Sequence, residues 1–173
     1  VASKPLCMGR AATDADAFIC AFNGGMFGGE AVAKAVFGQI NPCGRLTISF
    51  PRASGQVPVY YNSLPGWHAQ QGKGYCDLPE TPLYAFGEGM GYSPFVYSDL
   101  RFDKGTFKAS VKVTNAGDMV GTETVQVYFN DVVSSVLTPV KQLIAFSQAE
   151  LAPGESQPFV HREHLSGNRV LCV

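Results

Sequence analysis

Pro82-Leu83-Tyr84-Ala85-Phe86-Gly87-Glu88-Gly89-Met90-Gly91-Tyr92-Ser93-Pro94-Phe95 is the stretch on which the reading of this chain turns. Gly87, Gly89 and Gly91 permit backbone angles and close approaches that a side chain would forbid, while Tyr84, Phe86, Tyr92 and Phe95 bring large apolar faces to wedge between neighbours. The stretch reads as a tight domain junction; a long surface turn with an aromatic plug is the blander alternative. The periodicity of the sequence changes across it.

Beyond Pro94 apolar residues recur every second position. Residues 95–100, 106–114, 122–129, 142–146 and 157–161 read as antiparallel strands, with turns at Asn115-Ala116-Gly117-Asp118 and Pro153-Gly154-Glu155. Val111, Val113, Val125, Val127 and Phe129 form the inward stripes of a small immunoglobulin-like β-sandwich, and residues 168–173 offer a sixth strand. A sandwich of this type takes about seven strands, so its closure is expected to be incomplete.

Before residue 50 the pattern is that of an α/β layer. Residues 4–8 and 17–22 are candidate buried strands of a parallel sheet. Asn23-Gly24-Gly25-Met26-Phe27-Gly28-Gly29 follows, then a helix over residues 30–37 with Glu30 and Lys34 paired and Gly38 as its stop. Residues 45–50 alternate as a further strand, closed by Pro51. Three strands with one or two helices cannot cover both faces of a sheet, which implies a fragment of a larger α/β layer. The expected partition is 1–62 for this layer, 63–93 for a connector rich in aromatics, glycine and proline, and 94–173 for the sandwich.

An apolar fraction of 46% supports real cores, and a net charge of −1 without a basic stripe excludes nucleic acid and anionic membranes as partners. No apolar stretch approaches the roughly 18–20 residues of a membrane span. The five cysteines are dispersed and lack a Cys-x-x-Cys pair, so they read as free thiols. Together with the lack of Asn-x-Ser/Thr sites, this favours a cytoplasmic or bacterial periplasmic setting over a disulfide-rich secreted one.

Three segments coincide in order and spacing: Gly28-Gly29-Glu30-Ala31-Val32-Ala33-Lys34-Ala35-Val36-Phe37-Gly38 with Asn41-Pro42-Cys43-Gly44-Arg45-Leu46; Phe50-Pro51-Arg52 with Gln56-Val57-Pro58-Val59-Tyr60-Tyr61-Asn62; and residues 82–95. This combination resembles glycoside hydrolase family 3, the β-glucosidase and β-xylosidase family. Val113-Thr114-Asn115-Ala116-Gly117, Gly121-Thr122-Glu123, Pro139-Val140-Lys141-Gln142-Leu143 and Leu151-Ala152-Pro153-Gly154-Glu155 look like its C-terminal fibronectin-III-like domain. The resemblance implies an N-terminal barrel, then an α/β sandwich, then the fibronectin-like module. It also implies a retaining exo-β-glycosidase with two carboxyl groups about 5–5.5 Å apart. By the same resemblance both carboxyl groups lie outside this chain, so it carries no catalytic residue and needs no cofactor or metal. The implied partners are the rest of the enzyme, in the same polypeptide or a separate one, and an oligosaccharide; a homo-oligomer is left open.

Gly24, Gly25 and Met26 sit at the carboxyl end of a strand and before a helix, where open α/β layers hold ligands; close packing of a turn is the alternative. Trp67 and His68 pair an aromatic face suited to a sugar ring with a hydrogen-bonding imidazole, against the alternative of a loop anchor. Glu30, Asp77, Glu80 and Glu88 are set aside as catalytic acids. Arg45 and Arg52 read as structural pairs for loop carbonyls or an upstream carboxylate, and His161 and His164 lack further ligands for a metal. A stand-alone carbohydrate-binding β-module is the competing reading of the whole chain.

Overall fold

Alternating apolar and β-branched side chains fit a pleated, half-buried surface, and they organise the C-terminal half into strands. The computed structural model describes residues 4–64, 78–103, 105–106, 108–131, 133–162 and 169–172. The chain divides into two units, Val1–Ile40 with Leu46–Glu88, and Asn41–Arg45 with Gly89–Val173.

In the second unit β1 (Phe95–Asp103), β2 (Lys108–Asn115), β3 (Gly121–Asp131), β4 (Gln142–Leu151), β5 (Ser156–Arg162) and β6 (Arg169–Cys172) build two three-stranded sheets, β1-β2-β5 and β4-β3-β6. All the pairings are antiparallel. Tyr97 lies opposite Val113 and Val111 opposite Phe159 in one sheet, and Val127 lies opposite Ala145 in the other. Val111, Val113, Val125, Leu151 and Phe159 form the core, with Phe95 and Ala149 packed against it. Val113 and Leu151 are wholly buried. The five expected strands and the sixth at the tail all form, though β4 runs on to Leu151 instead of ending at residue 146.

The turns are fixed by side chains as well as by glycine. Asn115, fully buried at the end of β2, donates from Nδ2 to the carbonyls of Met119 and Leu151 and accepts the Gly117 N–H on Oδ1. Gly154 turns β4 into β5 at φ +75°, in the left-handed region that glycine enters freely.

The first unit contains α1 (Ala11–Asp14), α2 (Gly28–Val36) and a 3₁₀ turn at Ser54–Gln56. In α2 the Glu30–Lys34 pair forms as its spacing predicts, and Gly38 at φ +68° ends the helix, with the Gln39 N–H turned back to the Lys34 carbonyl at 2.8 Å. The parallel-sheet layer expected from residues 4–8, 17–22 and 45–50 does not form among the described residues. Their one bridge in this unit is antiparallel, between Phe50 and Tyr84. Residues 46 and 50 instead exchange backbone hydrogen bonds with the segment from Leu83 to Glu88. A parallel strand requires a neighbour delivered by a crossover, and the described residues provide none.

Side chains provide the order that a sheet would otherwise provide. Phe18, Phe22 and Tyr84 gather around buried Phe50 with ring centroids 5.9–6.3 Å apart, in edge-on, stacked and tilted contacts. Tyr61 stacks on Phe86. Buried Gln56 accepts the Arg52 N–H and donates to the carbonyls of Pro79, Glu80 and Thr81, which closes the segment after Pro51.

Candidate functional site

The glycine loop is built by close backbone approach. Gly25 sits at φ +63°, its carbonyl accepts the Gly28 N–H at 3.3 Å, and a Cβ on Gly24 would stand 2.7 Å from the Gly28 Cα. Only glycine at position 24 lets the chain fold back this tightly into α2. The loop then presents Met26 and Phe27, which are 92% and 70% exposed. What it offers is therefore an apolar projection beside a helix start, without a charged side chain at its tip. Gly24, Gly25 and Met26 thus form one continuous feature; Trp67, His68, Asp77 and His164 lie outside the described residues.

A second constellation, in the other unit, was not foreseen as a group. Glu123 lies on β3 in the same inward-facing stripe as Val125 and Val127, and its carboxylate is almost wholly enclosed. Arg45 donates to Oε2 at 2.8 Å and the Tyr97 hydroxyl donates to Oε1 at 2.7 Å. Arg45 also bonds the carbonyls of Cys43 and Gly44. Burial, reinforced by the neighbouring Glu123 carboxylate, pushes the Tyr97 hydroxyl well above the usual phenol range. A carboxylate with both oxygens engaged by hydrogen bonds has no free oxygen to present to a substrate. This one fastens residues 41–45 to the sandwich.

Asn41 works in the same direction. Its Nδ2 donates to Ser93 Oγ at 3.0 Å and to the Val120 carbonyl at 3.2 Å, and its Oδ1 accepts the Tyr92 N–H at 2.7 Å. Gly89, Gly91 and Gly121 crowd against this segment. A Cβ on Gly91 would lie 2.7 Å from Asn41 Oδ1 and from the Pro42 carbonyl, and one on Gly121 would lie 2.7 Å from Asn41 Nδ2. The inward position of Glu123 was the available signal, since a charge in an apolar stripe demands a buried partner.

The remaining candidates have local roles. Glu30 pairs with Lys34, Arg52 donates to the carbonyl and hydroxyl of Thr81, and Glu88 is exposed while its backbone carbonyl accepts the Leu46 N–H. Cys7, Cys20 and Cys43 are free thiols. Among the described residues no group of three or more His, Cys, Asp or Glu side chains is placed to hold a metal.

These features define an irregular aromatic and helical unit followed by a fibronectin-type sandwich that takes a short upstream segment into itself. The family model described as glycosyl hydrolase family 3 C-terminal domain matches residues 1–92, and that of the fibronectin type III-like domain matches residues 123–161. The chain belongs to the glycosyl hydrolase family 3 C-terminal domain family.

Among its relatives, the periplasmic beta-glucosidase of Salmonella typhimurium is 39% identical over 165 residues, covering 88% of this chain and 22% of that protein. A beta-xylosidase of Formosa agariphila is 40% identical over 161 residues, covering 89% and 22%. The crystal structure of a beta-glucosidase from Listeria innocua in complex with glucose superimposes with a TM-score of 0.81 at 35% identity, over 92% of this chain and 24% of that one. The chain thus spans less than a quarter of the length of these relatives.

Proposed function

We propose that this chain serves as the C-terminal part of a retaining exo-β-glycosidase of the β-glucosidase type, releasing terminal β-linked sugars from oligosaccharides or glycosides. The observation that carries the reading is the alignment of nearly the whole chain with a short stretch of much longer β-glucosidases and β-xylosidases. The nucleophile and the acid/base belong to polypeptide outside these residues, and the segment's own task is structural.

In this reading the 1–62 segment completes a parallel sheet whose other strands come from the first part of the α/β domain. Residues 17–22 then gain the neighbours that a parallel strand requires. Met26, Phe27, Val36 and Phe37, all more than half exposed, supply the apolar face that this polypeptide and an N-terminal barrel would cover. The 63–93 connector, with Trp67 and His68, and the Gly24-Gly25-Met26 turn shape the rim of the sugar cleft, while residues 94–173 form the fibronectin-like buttress.

The test is turnover of 4-nitrophenyl β-glucoside by the 173-residue chain alone and by the same chain joined to a family barrel and α/β half. The first is expected to be inert and the second active; turnover by the isolated chain at the rate of the joined enzyme overturns the assignment. Isothermal titration of the isolated chain with oligosaccharides is expected to give no heat, and saturable binding would point to a carbohydrate-binding module instead.

A further inference from the structure

A sheet edge presents unpaired backbone donors and acceptors, and proteins guard such edges with charges, proline, bulges or brevity. The outer strands of the two sheets are β1, β5, β4 and β6. β1 is interrupted between Ser98 and Arg101, with Asp99 at φ +53°, and carries Arg101 and Asp103. β5 contains Pro158, which has no N–H to offer.

β4 lacks these protections over most of its length. From Ala145 to Leu151 it pairs with β3 in unbroken register; its one irregularity, at Ile144, falls before this run, and Glu150 is its one ionisable side chain. The side of the sandwich next to it is open among the described residues. A cavity of about 150 Å³ opens between the sheets, lined among others by Ala145 and Ser147 of β4, Phe159 and His161 of β5, and Val125 and Val127 of β3. Phe146 and Val160, one on each strand at this mouth, are 66% and 57% exposed.

We propose that β4 is a self-association strand, through which two copies of this chain pair antiparallel along residues 145–151 and join their three-stranded sheets into one six-stranded sheet. The edge can pair with itself without opposing like charges. With the two-fold axis on Gln148, Phe146 faces Glu150, Ala145 faces Leu151 and Ser147 faces Ala149, so no like charges meet. Gln148 is itself held from behind, its Nε2 donating to Thr124 Oγ1 at 2.9 Å. The inference is independent of the catalytic reading, since it uses only the sandwich.

Sedimentation velocity on the full chain over a concentration series tests it. The unaltered chain is expected to show a monomer–dimer equilibrium. Gln148→Lys and Gln148→Glu, which each set two like charges face to face on the axis, should each weaken association at least about tenfold. Mixing the two variants should restore dimers by pairing Lys with Glu. Val160→Lys, on the neighbouring strand, should leave association within about twofold, and far-ultraviolet circular dichroism should confirm that every variant is folded. A chain that stays monomeric at millimolar concentration, an equal loss from Val160→Lys, or a mixture that fails to recover overturns the proposal.

Discussion

The two units of this chain solve the same problem by different means. The sandwich satisfies its backbone in two ladders and buries a continuous aliphatic core, with Val113 and Leu151 inaccessible to water. In the first unit Ala35, Phe50 and Pro51 are the buried apolar side chains among the described residues, and its order rests on an aromatic cluster and on Gln56 bonded to three carbonyls. Ladder hydrogen bonds let the sandwich enclose a core of its own, whereas the first unit encloses little; both leave large apolar side chains exposed, Phe146 and Val160 in one and Met26 and Phe37 in the other.

The contrast can be broken at its strongest point first. Arg45→Ala removes the partner of a buried carboxylate and is expected to destabilise the sandwich by about 3–5 kcal/mol, read as faster amide exchange in β3 with little change in α2. Arg45→Met combined with Glu123→Leu should recover most of that loss, because an uncharged pair requires no compensation. Leu151→Ala, which empties the centre of the core, should cost about 2–5 kcal/mol by urea titration.

A smaller effect appears with pH. The folded state holds the Tyr97 proton more tightly than the unfolded chain does. Its contribution is therefore complete below the ordinary tyrosine value of about 10 and is lost as pH rises above it. Tyr97→Phe should flatten the alkaline fall in stability of the sandwich. At the bottom of the scale, Lys34→Ala breaks an exposed helix pair and should change the stability of the first unit by no more than about 0.3–0.5 kcal/mol in the same titration.

Much of this was legible before any coordinates. Period-two alternation located β1 to β5, and Val111, Val113, Val125, Val127 and Phe129 are buried as their parity requires. Helix α2 and its glycine stop followed from local chemistry alone. The sequence could not supply partners. Residues 17–22 have the composition of a buried strand, yet a strand is a relation between segments, and composition does not reveal who stands alongside. Arg45 and Glu123 are likewise 78 positions apart, so the carboxylate expected upstream of Arg45 lies downstream of it, in the sandwich. For the candidate site, the tight Gly24–Gly28 approach was readable from glycine density, whereas the outward aim of Met26 depends on how the loop closes.

Because residues 41–45 are part of the sandwich while residues 46–88 are not, the order of synthesis matters. At roughly 5–20 residues per second, the Arg45 guanidinium leaves the ribosome several seconds before the Glu123 carboxylate that will hold it. The nascent sandwich therefore has to close backwards across residues 46–88, which belong to the other unit, and Arg45 waits without its carboxylate until β3 has emerged.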